Sequence, residues 1–412
     1  MLTEERVLSF EYTTKVIPRR GTGKGSLTNS TTTDGMVDGA SSLSGDIIIS
    51  DLETAEEKEH SKSTSTINKI FNILFFFIIT NYIFQIIYNI LYLIKLLVKY
   101  NYINFSSKRV IHIKREKSMS ENVRIPAVAG QFYDGDEESL KKTLENCFYD
   151  SRGPGEIPKI SKGNKKILGL VVPHAGYIFS GPIAAHSFHT LGINGFADIF
   201  IILGPNHTGR GSGVSVMTKG FWKTPLGTVP INKDVGEALR RGIIDEDPTA
   251  HTYEHSIEVQ LPFLQFISDK LGFNFVPICM SMQDYDTSKE VGEIMAEAIK
   301  NQDKRIVIIA SSDFSHVGFN YMSMPPENMR ADEYAEKQDM LAIDQILKLN
   351  PRGLIEKVHE KSITMCGYGP VAAMLTAAKK LGAIRGELLK YGTSYEVHPG
   401  TSCVGYGAIA IY

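Results

Sequence analysis

Four short runs of β-branched and apolar residues, each stopping at a polar or glycine-rich turn, constrain this chain more than any other feature. They are residues 167–172, ending at Pro173-His174; 199–203, ending at Gly204-Pro205-Asn206-His207; 275–278, ending near Cys279; and 305–310, ending at Ser311-Ser312-Asp313. A run without polar alternation predicts a strand covered on both faces. Residues 139–148, 183–191, 234–242, 255–271, 289–299, 331–349 and 369–381 carry apolar positions at helical spacing, and residues 404–412 close the chain as a last strand. Strands alternating with helices predict a single α/β domain whose central, mostly parallel or mixed sheet is flanked by helices.

The alternation begins only after Met119, and the 294 residues from there to Tyr412 suit one large domain. Residues 1–66 are rich in Ser, Thr, Gly and acidic groups without periodicity, which predicts a disordered or non-authentic segment. Within residues 67–100, the stretch 71–94 runs 24 positions without a charge. About 20 such residues span a bilayer core. Lys95, Lys99, Lys108, Arg109, Lys114 and Arg115 follow it, so an anchor there would leave the C-terminal domain in the cytoplasm. The competing expectation is that translation starts at Met119. The Ile, Asn, Tyr, Phe, Leu and Lys upstream are what AT-rich DNA encodes when read through. Intact mass of the native protein separates the two, and either way the folded part is expected in the cytoplasm.

A formal net charge of −2 gives no reason to expect nucleic acid as a partner. Cys147, Cys279, Cys366 and Cys403 are scattered and form no CxxC pair, which predicts no disulfide framework and a reducing compartment.

In open α/β sheets ligands bind beyond the C-terminal ends of strands. Three polar clusters stand at such ends: His174, His207, and Asp313 to His316. A lone histidine there more often bonds backbone, but two in one sheet raise the odds of convergence, and imidazole is the commonest metal ligand. Asp313 and His316 are three apart, so one helical turn would bring them together as acid/base and orienter; a plain helix N-cap is the other reading of Asp313. Cys366 precedes a helix, where a thiol feels a positive potential, and a buried inert cysteine is the alternative. Glu254 and His255 are expected to line or buttress the site, and Asn206 to line it or only form its turn. Hydrolysis by a Cys366/His316 pair has least support, since nothing in the sequence specifies an oxyanion hole.

The ordered motifs PHAGYIFSG, GPNH, EHSIEVQLPF, SSDFSH, CGYGP and SYEVHPGTSCVGYGA resemble the Memo family over nearly all of residues 119–412. The resemblance implies the fold of the class III non-haem iron extradiol dioxygenases, in which two histidines and a carboxylate hold iron. His174 and His207 match those histidines, and Cys366 stands where the carboxylate would. His316 matches the acid/base histidine or serves as a further ligand, with Asp313 in the same pocket. The resemblance implies a redox or divalent metal, iron first, copper next, zinc permitted; a thiolate, softer than a carboxylate, shifts preference toward copper or zinc while still permitting iron. The expected function is a metal-dependent oxidoreductase acting on a small molecule in the cleft. The alternative is a peptide- or phosphopeptide-binding module on the same fold.

Overall fold

The computed structural model describes residues 123–160, 166–268 and 271–412. The expectations of disorder, a membrane segment and a start at Met119 fall on residues outside that set. Among the described residues no helix is long and apolar enough to cross a membrane.

The central sheet is built on β2 (Gly169–Val172), β9 (Ile306–Ser311), β3 (Ile199–Pro205) and β8 (Asn274–Met280), four adjacent parallel strands. Every residue of β2, β3 and β9 is buried, as uninterrupted apolar runs require. Antiparallel strands extend the sheet on both sides: β12 (Cys403–Ile411) beside β2, and β4 (Val214–Val216) beside β8. Beyond them lie β10 (His316–Val317) and β11 (Gly386–Thr393), both on β12, and β7 (Asp245–Glu246) on β4. A separate three-stranded sheet joins β1 (Val123–Arg124), β5 (Phe221–Thr224) and β6 (Gly227–Pro230).

Side chains alternate across a strand, and the alternation builds two cores. On one face, Leu170, Val172, Phe200, Ile202, Val307 and Ile309 pack with helices α1 (Glu137–Tyr149), α2 (Tyr177–Asn194) and α4 (Leu261–Ser268). On the other, Val171, Ile199, Ile201, Leu203, Ile308 and Ala310 pack with α3 (Lys233–Leu239), α5 (Tyr285–Lys300), α6 (Ala331–Leu347), α7 (Pro351–Lys361) and α8 (Tyr368–Lys380). Helix α1 shows the local logic. The Asp136 side chain accepts the Ser139 amide at its N-terminus, and the face it buries is Leu140, Leu144, Cys147 and Phe148. The expected α/β architecture with a mixed sheet flanked by helices is what the chain adopts.

Two local readings are corrected. The helix expected from residue 255 begins as a short 3-10 turn at Glu258–Gln260 and becomes α-helical only at Leu261. Residues 254–257 stay irregular because the Glu254 carboxylate takes the amides of His255 and Ser256. The Asp313–His316 segment is not a helical turn. It leaves β9 non-helical and enters β10, where His316 pairs with Val404.

Candidate metal centre

Strands β2, β9 and β3 are parallel neighbours, so their C-terminal ends share one sheet edge. With about 4.8 Å between neighbours, the ends of β2 and β3 lie roughly 10 Å apart, a gap two inward-turned imidazoles can close. The rings of His174 and His207 do so, with centroids 5.3 Å apart. Cys366 completes the group from the other side: one ligand atom each from His174, His207 and Cys366 lies within 4.8 Å of the others. Gly367 permits this approach, because a Cβ there would stand 2.6 Å from the Ser311 carbonyl oxygen.

His174 is 2 % exposed. Its amide donates to Asp313 Oδ1 at 2.7 Å, its Nδ1 meets Ser311 Oγ at 2.9 Å, and its Nε2 faces Cys366 Sγ at 3.2 Å. The protons can be counted. Ser311 Oγ donates its one hydrogen to the Ser256 carbonyl and accepts from Gln260 Nε2. It can therefore only accept from His174, which puts the ring proton on Nδ1 and the free lone pair on Nε2. Burial, reinforced by His207, His255 and His316, keeps the ring far below its usual pKa and neutral. Neutral imidazole is the form that binds metal.

His207 Nδ1 stands 2.9 Å from Glu254 Oε1, and its amide donates to Glu254 Oε2 at 2.5 Å. Burial acts to lower the His207 pKa, but the hydrogen bond and charge of Glu254 outweigh it and the net shift is upward. Glu254 is fully buried. Burial would raise its carboxyl, yet His207, His255 and the Ser256 amide hold it down at about 2. Gly204 lets this loop close on β3, since a Cβ there would meet Ser256 Oγ at 2.3 Å.

The Cys366 thiol behaves opposite to the sequence expectation. Helix α8 starts only two residues on, but burial, then the Asp313 charge, drive the thiol well above its usual range. A helix N-terminus contributes a partial charge at most, and here desolvation wins. A bound cation offsets that cost, which is how coordinating thiols lose their protons. A soft thiolate with two imidazole Nε2 atoms is a donor set that suits iron, copper or zinc.

His316 lies beside this group. Its Nδ1 contacts the carbonyl oxygens of Phe314 at 2.9 Å and Thr364 at 3.0 Å, so Nδ1 carries a proton and donates it. Its backbone is tied to Thr364 Oγ1 in both directions at 2.8 Å. Asp313 is 4 % exposed, with Oδ2 4.0 Å from His174 Nε2. Burial raises its pKa, against the opposing influence of His316 and His207. His255 stacks on His207 at 4.6 Å and is pushed down to about 4, by burial above all.

His207, Glu254 and His255 form a second group with ligand atoms within 4.8 Å. In it Glu254 already accepts four N–H bonds, three on Oε1 and one on Oε2, so its carboxylate is engaged first as a hydrogen-bond acceptor. Asn206 takes the turn-forming role, one of the two expected of it. Its Oδ1 takes the amides of Thr208 and Gly209 and its Nδ2 gives to the Arg210 carbonyl, so it builds the turn and spends its polar atoms there.

Sequence reasoning missed Ser311 and Gln260 as holders of His174, Thr364 as the holder of His316, and Arg124. The first three lie in or next to the motifs that carry the family resemblance. Arg124 carried no signal, because its partner Glu258 is 134 residues away.

Residues 124–410 match a family described as Memo-like protein. The MEMO1 family protein MK0963 of Methanopyrus kandleri is 47% identical over 289 residues, covering 69% of this chain and 98% of the relative. MTH_45 of Methanothermobacter thermautotrophicus, also a MEMO1 family protein, is 43% identical over 291 residues, 70% of this chain and 100% of the relative. A solved structure, the uncharacterized protein JW3007 from Escherichia coli K12, aligns with a TM-score of 0.40 at 13% identity over 60% of this chain and 100% of that one, too distant to inform the site. With a match across 124–410 and relatives above 40% identity aligned along their whole length, this chain belongs to the Memo family.

Proposed function

We propose that the chain is a non-haem metal-dependent oxidoreductase that holds a divalent or redox metal on His174 Nε2, His207 Nε2 and Cys366 Sγ, with iron ahead of copper and zinc as a third occupant. The observation that carries this is the convergence of two imidazoles and a thiol within 4.8 Å at the C-terminal edge of the sheet. When bound, the metal supplies an open coordination position and a redox couple. The chain's own residues do the rest. Ser311 holds the His174 ring at Nδ1, and the Asp313 carboxylate holds its backbone amide. His316, its proton on Nδ1, keeps Nε2 as the acceptor a general base needs. Ionised Asp313 favours a proton on His316 through their electrostatic interaction. The substrate is a small molecule in the cleft. A cytoplasmic setting belongs to the same reading: Cys147, Cys279, Cys366 and Cys403 are all free thiols, as a reducing compartment keeps them.

A second reading, a peptide-binding module, is favoured by one observation. Phe319 and Met322, just after His316, are 84 % and 95 % exposed, and exposed apolar side chains near a site suit a polypeptide ligand.

The test is metal content of the full chain purified without oxygen, beside a His174→Ala/His207→Ala double variant. Near-stoichiometric iron or copper in the parent, falling at least tenfold in the variant, is expected. Equal contents, or none in either protein after reconstitution, would remove the oxidoreductase reading and leave the binding module.

A further inference from the structure

We propose that Glu254 is the positioning residue of this centre: it holds His207 with its proton on Nδ1 and so presents Nε2 to the cation. The inference rests on the metal reading above and deepens it.

The carboxylate is fully buried and all its partners are donors. Oε2 accepts the His207 amide; Oε1 accepts His207 Nδ1 and the amides of His255 and Ser256, each at 2.9 Å. An ionised carboxylate has no proton to give. The hydrogen between Oε1 and Nδ1 therefore belongs to the imidazole, whatever the charge on the ring. Two of the four bonds run to one residue, His207, gripping both its backbone and its ring, and that fixes the ring's orientation as well as its tautomer.

The grip is itself anchored. The Glu254 carbonyl accepts Arg124 Nη2 at 2.6 Å, and Arg124 Nε donates to the His251 carbonyl at 3.0 Å. The same guanidinium is paired with buried Glu258 and lies 4.2 Å over the Trp222 ring. From the other side Ser256 Oγ donates to the Pro205 carbonyl at 3.0 Å, tying the loop to the end of β3. Glu254 is thus held both at its carboxylate and at its carbonyl. A buried anion one imidazole away from a metal raises the basicity of that imidazole, and loss of such a partner weakens metal binding by roughly 10- to 100-fold. Glutamine cannot replace it, because its NH₂ would have to face at least one of the four N–H groups.

The experiment uses the full chain labelled with nitrogen-15 on histidine, with His207 assigned by its absence in His207→Ala. Long-range nitrogen–proton correlations in the metal-free parent are expected to show the Nδ1–H form of His207. Glu254→Gln, with its oxygen at the Oε1 place and its NH₂ facing the His207 amide, keeps an acceptor for Nδ1 but loses the charge, so its readout is metal affinity. Zinc(II), the metal probe, competed against a chromophoric chelator, should bind about 10- to 100-fold more weakly to this variant, with the urea midpoint reporting the fold. An Nε2–H tautomer in the parent overturns the proposal, and so does zinc affinity in Glu254→Gln within twofold of a parent that binds. If the variant does not fold, the parent's tautomer decides alone. If the parent binds no zinc or other metal, the metal reading fails, while the nitrogen spectrum still decides whether Glu254 sets the His207 tautomer.

Discussion

Replacing Asp339 by Asn should change how the stability of the fold depends on pH. Asp339, on α6, is fully buried. Its Oδ1 accepts the Ser315 amide at 2.8 Å, one residue before His316, and its Oδ2 meets the Tyr391 hydroxyl at 2.8 Å. Burial outweighs these bonds and pushes the carboxyl up to about 7. In the unfolded chain an aspartate titrates near 3.9. Between those values the folded chain keeps a proton the unfolded chain has released. Raising the pH through that window therefore destabilises the fold. Below about 4 both states are protonated and above about 7 both are ionised, so this group adds no slope there. At about 1.36 kcal/mol per unit, the whole window is worth about 4 kcal/mol. The assay is urea unfolding of parent and Asp339→Asn at pH 5, 6, 7 and 8, comparing midpoints at constant m. Parent stability minus variant stability should fall by about 2 kcal/mol from pH 5 to 7 and by less than about 0.5 kcal/mol from 7 to 8. Profiles that stay parallel within about 0.5 kcal/mol, or a parent that gains on the variant as pH rises, would refute the reasoning, since either means an ordinary or lowered carboxyl.

Three other changes have definite expected outcomes. Arg124→Met leaves Glu258 charged and buried, and should destabilise by about 3–5 kcal/mol in urea unfolding; adding Glu258→Gln should recover part of that loss, and strict additivity would argue against a coupled pair. Gly405→Ala puts a Cβ 1.9 Å from Asp339 Oδ2, so about 1–3 kcal/mol of destabilisation is expected, and a midpoint equal to the parent's would show that the α6–β12 contact yields freely. Cys366→Asp exchanges a soft donor for a hard one and should lower copper and zinc retention relative to iron in a competition experiment; an unchanged ranking counts against Cys366 as a ligand.

What could be read from the sequence follows from where burial is two-sided. The central strands β2, β3, β8 and β9 were legible because a strand covered on both faces leaves an uninterrupted apolar run. Helix α2 was legible in its middle, and its start at Tyr177 lies six residues ahead of the periodic core that revealed it. The outer strands were not legible. β7 and β10 have two residues each and β4 three, too few for any period to show. β11 is only partly buried over most of its length, so its pattern is weak. Helix α7 was missed despite a readable start, with Pro351 in its first turn and Asn350 accepting the Gly353 amide.

The site divides along the same physical line. Residues delivered by strand ends could be found, because the run that makes the strand also marks where it stops, and His174 and His207 stand just past such stops. Cys366 needed the motif as well as the helix start. Side chains that work through long-range partners could not be found by spacing. Asp313 and His316 look like a helical pair three apart, yet each is placed by a residue far along the chain: Asp313 by the amide of His174, His316 by Thr364. Glu254 shows why the difference matters. Read locally, it is an acidic residue at the start of the helix expected from residue 255. In the fold the helix is displaced to Leu261 because that carboxylate has taken the amides of His255 and Ser256, and its other two bonds aim His207. The local departure from helical expectation and the construction of the centre are one event, so the place where helical periodicity misleads is also the place where a ligand is aimed.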